Sequence, residues 1–318
     1  MKILFLCPTG IHKRNWGHQL FRNEFGRQHD VVYYGRGFKG CNRSMMNAQD
    51  IINNRCKNKK PDIIMTYGAQ CKEYTGIKQV KDVIKVHFLM DYQEPIRPEH
   101  IVFKNNINTH NKRVIDHGYD FVFTTTNMSL QTLRKSKIVD PKMTAVFPFS
   151  VNTNQYRDLK IFKTNDVMAI YTINPLYYPD RNKIRLMLNT MKLKVESRKI
   201  IKTEMIKAMN QCKIIITSNN YWKSLSMRYT ETLACGGFLL ADKPDDLELV
   251  GLKDGEHLVI YKDLNDLKRK IEYYLDPKHE KEREQIAANG MEFVRKNHNC
   301  KVRVQQVIKF IKSRKGIK

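Results

Sequence analysis

The feature that most constrains the fold is an alternation of short apolar runs with longer segments carrying apolar residues at helical spacing. Residues 2–7 form the first apolar run, and 16–27 follow with Trp16, Leu20, Phe21 and Phe25 on one helical stripe. Further strands are expected at 30–34, 61–68, 83–90, 119–124 and 144–147. Helices are expected at 44–56, 101–117 and 127–137. Strands that alternate with helices are joined by crossovers, which implies a parallel sheet covered on both faces. A polar, turn-rich stretch at 148–156 interrupts the pattern, and the alternation then restarts. Strands are expected there at 167–172, 192–195, 213–217, 238–242 and 258–261. Helices are expected at 179–190, 199–210, 227–235, 263–275, 280–297 and 301–313, with a short one at 245–250.

The expected fold is therefore α/β, with two facing Rossmann-like domains and a cleft between them. The expected domains are an N-terminal one of 1–158 and a C-terminal one of 159–300. A basic helix at 301–318 would pack back toward the first domain. The Gly-x-Gly-x-x-Gly dinucleotide fingerprint is absent, so a nicotinamide or flavin dinucleotide is not the expected ligand.

Composition narrows the class. Apolar residues make up 41% of the chain and aromatics 10%, which suits a globular protein rather than a disordered one. The apolar run at 3–7 is too short for a membrane span, and Pro8 follows it directly, so a first strand is expected rather than a signal peptide. The seven cysteines include no Cys-x-x-Cys pair and no histidine partner at zinc spacing, which points to a reducing, cytoplasmic setting. A formal charge of +25 from 57 basic and 32 acidic residues is the largest anomaly, and it favours a polyanionic partner. A lysine-rich compositional bias is the competing explanation.

The stretch from Trp222 to Asp242 carries the most chemistry. It reads as a polar loop, a helix at 227–235, the glycine pair Gly236-Gly237 and a buried strand. Ser224 and Ser226 are the N-cap candidates. A helix N-terminus beyond the carboxyl end of a parallel strand suits a phosphate. Arg228 sits in the first turn, where a cation opposes the helix dipole, so a bound anion would explain it. Glu231, three residues on, falls nearly on the same face and suits a ribose diol. The plain alternative is an ordinary surface pair between the two.

From about 177 to 307 the sequence resembles the CgeB-like branch of nucleotide-sugar glycosyltransferases, spore-maturation and phage types included. The resemblance rests on Tyr178-Pro-Asp-Arg181, the run from Arg228 to Asp242, and the run from Asp254 to Tyr261. It continues through Ile286-Ala-Ala-Asn-Gly290, Val294, Asn297-His298 and Arg303. It implies the GT-B fold, with Glu231 on the nucleotide ribose and Arg228 on the diphosphate of a UDP-sugar cosubstrate. Arg181 and Lys223 would add charge behind them, and Thr9 and Gly10 would approach the donor from the first domain. No metal or further cofactor is expected.

The acceptor side is read from position. Asp91 directly follows an apolar strand and is the candidate general base, with Glu94 and His87 as weaker candidates. His87 itself falls inside the strand and reads as core-flanking. A compact transferase with a charge of +25 resembles phage enzymes that glycosylate hydroxymethylated bases in DNA, and a monomer is expected. Lys135 and Lys137, with the clusters at 57–60 and 312–318, would track phosphates. Tyr92, with Tyr33, Tyr34 and Phe38, would stack on an extruded base. The alternatives are a transferase acting on a spore-coat, wall or capsule polymer, and an inactive DNA-binding protein of the same fold.

Overall fold

The structure, a computed structural model, describes residues 1–7, 16–35, 38–42, 45–57, 59–68, 73–90, 92–94, 101–169, 172–198, 200 and 203–317. The chain divides into two compact units, one of Met1–Pro148 with Val304–Lys318 and the other of Phe149–Arg303.

Unit 1 contains β1 (Lys2–Leu6), α1 (Trp16–Gln28), β2 (Asp30–Tyr34), α2 (Ala48–Arg55), β3 (Ile63–Tyr67) and β4 (Ile84–Phe88). It continues with α3 (Ile101–His117), β5 (Phe121–Thr124), α4 (Asn127–Ser136) and β6 (Thr144–Val146). All six strands are parallel, in the order β2-β1-β3-β4-β5-β6. Ile3, Leu4, Phe5 and Leu6 are all fully buried, as expected of a strand with both faces covered. The order reverses beside β1, so the crevice of this sheet opens where β1 and β3 end.

Unit 2 contains β7 (Asn165–Met168), α5 (Arg181–Thr190), β8 (Val195–Glu196), α6 (Thr203–Gln211), β9 (Cys212–Thr217) and α7 (Met227–Ala234). Then follow β10 (Phe238–Asp242), β11 (Val259–Tyr261), α8 (Leu264–Leu275) and α9 (Glu280–Asn297). Its five strands are also parallel, ordered β11-β10-β9-β7-β8, so the order reverses between β7 and β9. A last helix, α10 (Cys300–Lys315), begins in unit 2, and its residues from Val304 onward belong to unit 1. There Phe310 packs edge-on against Phe121, Phe123 and Phe147, and Lys315 pairs with Asp120 at 2.9 Å.

The strand expected at 167–172 instead spans Asn165–Met168, and two further segments differ from the pattern reading. Residues 245–250 form successive turns rather than a helix, because Pro244 starts a tight turn closed by Leu247 N–H to its carbonyl. The strand expected at 192–195 shrinks to the two residues of β8, at the sheet edge where only β7 pairs with it.

Candidate active site

The loop between β9 and α7 lies beyond the carboxyl end of β9, beside the point where the strand order of unit 2 reverses. The loop is held by its own side chains. Asn219 N–H donates to both carboxylate oxygens of Asp242, at 2.8 and 3.1 Å. The Tyr229 hydroxyl bridges Asn219 Oδ1 at 3.0 Å and the Asp242 carbonyl at 2.8 Å. Asn220 Oδ1 accepts from the N–H groups of Trp222 and Ser224, each at 3.1 Å. Burial pushes the Asp242 carboxyl up to about 6, against the pull of the Asn219 hydrogen bonds.

Ser226 is the N-cap of α7, in extended backbone at φ −88°, and its side chain makes no capping hydrogen bond. Its Oγ is inaccessible to solvent and has no partner, and the same holds for Ser218 Oγ at the end of β9. Ser224, the other cap candidate, lies buried within the loop instead. Buried hydroxyls in native proteins nearly always find partners, so both of these are available to a water or a ligand.

Arg228 and Glu231 pair with each other, as the plain alternative expects. Arg228 Nη1 lies 3.5 Å from Glu231 Oε2, with the side chains 20% and 12% exposed. That distance is an ion pair without a hydrogen bond, and Nη1 has no other partner. The other carboxylate oxygen is taken: Tyr156 donates its hydroxyl to Glu231 Oε1 at 2.8 Å. Burial first, and then the Glu231 charge, hold the Tyr156 phenol well above its ordinary range. Sequence reasoning missed Tyr156, because nothing local signals a contact 75 residues away.

Arg181 takes a different place from the one expected. Its guanidinium donates to Thr172 O and Ser218 O at 3.1 Å each and stacks 3.4 Å above the Tyr178 ring. It thus ties the loops after β7 and β9 together, and this buried position spends its charge on backbone carbonyls. Lys223 is exposed in the left-handed region at φ 47° and lines an open groove of about 960 Å³ with Asp180, Lys183, Asp242 and Asp254. That groove lies along the carboxyl ends of β10 and β11, beside Ser226, Arg228 and Glu231 in sequence but without them in its walls.

In unit 1, Thr9, Gly10 and Asp91 lie outside the described residues. Glu94 is exposed, whereas Tyr92 is fully buried, with its hydroxyl given to Asn111 and its ring against His110. Tyr92 is therefore a core residue with no face to offer a base, and Tyr34 is buried likewise. Tyr33 is sandwiched between Phe5 and Phe38 at 5.9 and 5.5 Å. Lys135 and Lys137 are exposed at the end of α4, where Lys137 adopts the left-handed cap at φ 54°. Their neighbour Arg134 instead staples α4 to Thr144 and Pro141. His87 is fully buried.

Among the described residues, no three His, Cys, Asp or Glu side chains come together as a metal site. No described helix is long and apolar enough to cross a membrane.

Residues 174–309 match the Glycosyl transferase-like family model, a span that includes α5, β9, α7 and the whole β9–α7 loop. No curated protein matches the chain by sequence. Solved structures share the architecture at low identity. Anabaena HepE, solved with UDP and glucose, superposes at TM-score 0.67 and 12% identity, covering 98% of this chain and 100% of that one. Sucrose-phosphate synthase from Thermosynechococcus elongatus does so at 0.66 and 12%, covering 98% and 99%. An alpha-glucosyltransferase solved with UDP-glucose and DNA containing an abasic site gives 0.67 and 12%, covering 98% of each chain. Residues 174–309 thus form a glycosyl transferase-like domain, within a chain that shares the two-domain α/β architecture of these structures.

Proposed function

We propose that the protein transfers a sugar from a UDP-sugar to a hydroxyl acceptor, with the diphosphate held at the N-terminus of α7. The observation that carries this reading is the unsatisfied turn itself: Ser226 Oγ and Arg228 Nη1, both without hydrogen-bond partners, at the positive end of a helix. A diphosphate supplies acceptors for both and is compensated by the Arg228 charge. The leaving UDP gains negative charge as the glycosidic bond breaks, so these donors stabilise the transition state more than the ground state. Glu231, with Oε1 anchored by Tyr156, presents Oε2 to the ribose diol. Asp91 is the proposed base for the acceptor hydroxyl.

The acceptor we propose is a hydroxymethylated base in DNA. Supporting it are the formal charge of +25 and the exposed Lys135 and Lys137 in unit 1. The fold is also shared with an alpha-glucosyltransferase solved with UDP and a 13-mer DNA containing an HMU base. Phosphate contacts by scattered lysines give affinity without sequence specificity. Mass spectrometry of hydroxymethylated and ordinary DNA, incubated with the protein and a panel of UDP-sugars, tests the proposal. One sugar added to the hydroxymethylated DNA alone is expected. Transfer to neither DNA, with UDP still released to another polymer, would overturn the acceptor assignment.

A further inference from the structure

Away from the α7 site, unit 1 buries a cluster of basic side chains. His110, Arg113 and His117 stand three and four residues apart, on one face of α3. His87 of β4 faces them, with ring centroids 6.4 Å from His110, and stacks on Tyr119 at 4.9 Å. Tyr92 closes the cluster edge-on to His110 at 5.9 Å. His87, His110 and Arg113 are 0%, 2% and 5% exposed.

These side chains are not satisfied by the protein. His87 Nε2, His110 Nδ1, and both Nε and Nη1 of Arg113 are inaccessible to solvent and have no partner. Among the described residues no carboxylate pairs with Arg113, although a guanidinium keeps its charge at any working pH. A buried charge without a counter-charge is not tolerated in a stable core. Water would supply hydrogen bonds to the four atoms but no counter-charge. An oxyanion supplies both, and the planar edge of a guanidinium is suited to two of its oxygens.

The other side of His87 fits that role. Its Nδ1 lies 2.7 Å from Thr66 Oγ1, which lies 2.8 Å from the Tyr119 hydroxyl. Thr66 donates its hydroxyl to Tyr119, so His87 Nδ1–H donates to Thr66 and leaves Nε2 as an acceptor, which suits the O–H of a protonated oxyanion.

We propose that His87, His110 and Arg113 form an enclosed site in unit 1 for a small oxyanion of the phosphate class, with Arg113 as its counter-charge. The burial of all three side chains selects a free ion over a phosphate within a polymer. The site does not depend on the donor reading, since Arg228 and Glu231 belong to unit 2.

The test is titration of the full chain with inorganic phosphate by calorimetry, alongside its thermal midpoint in phosphate and in chloride at matched ionic strength. Arg228→Ala serves as the background, so that phosphate at the α7 terminus does not contribute. Saturable binding and a raised midpoint are expected in Arg228→Ala, with affinity about tenfold weaker when Arg113→Met is added. Should Arg113→Met fail to fold, His110→Gln is read instead, with a smaller weakening of about threefold expected. A dinucleotide phosphodiester is expected not to compete. Binding to phosphate and dinucleotide alike would overturn the enclosed-ion assignment. No phosphate-specific effect in Arg228→Ala, or an equal one in the Arg113 and His110 variants, would overturn the site and leave its orphaned atoms to water.

Discussion

Tyr156 and Glu231 are joined by a 2.8 Å hydrogen bond from phenol to carboxylate across 75 residues of sequence. The bond fixes one oxygen of Glu231 and leaves the other toward Arg228. Tyr156→Phe removes the donor while keeping the ring, so the carboxylate loses its orientation but not its charge. The Michaelis constant for the UDP-sugar is expected to rise about five- to tenfold, with kcat changed much less. Steady-state kinetics at saturating acceptor checks this. An unchanged constant would mean that Tyr156 serves only the packing of unit 2.

Gly290 sits where α9 passes closest to its neighbours. A Cβ there would lie 2.3 Å from the His257 carbonyl oxygen and 2.8 Å from Leu233 Cδ2. Leu233 can rotate, but the backbone of residue 257 cannot yield cheaply. Gly290→Ala should therefore destabilise the protein by about 2 kcal/mol, read as a lowered urea midpoint at constant slope. A neutral result would show that α9 can shift away from α7 without cost.

Acid stability follows from buried imidazoles. His298 Nε2 lies 2.7 Å from Val250 O, and Arg303 Nη2 lies 2.9 Å from His298 Nδ1. Donation to Val250 O and acceptance from Arg303 use both ring nitrogens of the neutral form. Burial, then the Arg303 charge, lower the His298 pKa to about 4. Burial and Arg113 lower His110 to about 4 as well. Both folded values lie below the ordinary 6.5, so the unfolded chain binds more protons across that window. Their contribution is complete above about pH 6.5 and declines as pH falls through 4, by on the order of 3 kcal/mol each. Urea unfolding in phosphate-free buffer between pH 7.5 and 4.5 should show this fall, and a flat profile would contradict it.

Much of the architecture was readable because parallel strands buried on both faces leave long apolar runs. The strand expected at 238–242 is β10, and the helix expected at 227–235 is Met227–Ala234. The pairing of Arg228 with Glu231 is local and followed from helical spacing. What failed was long-range or dependent on burial. Arg181 has the sequence context of a phosphate ligand, yet the carbonyls of Thr172 and Ser218, brought together by the strand order, claim it. Tyr92 is expected to stack on a base but is fully buried, and no local pattern in the sequence signals that burial. The buried cluster around Arg113 was equally hidden, since nothing local to α3 signals that His110 and Arg113 are buried.

The most direct measurement is calorimetric titration of UDP into the wild-type chain, Arg228→Ala and Glu231→Ala, with circular dichroism to confirm that all three are folded. With the diphosphate on the α7 terminus, UDP binding should weaken about a hundredfold in Arg228→Ala and at least tenfold in Glu231→Ala. Binding of UDP with the same affinity to all three folded proteins would contradict the placement of the donor at Ser226, Arg228 and Glu231.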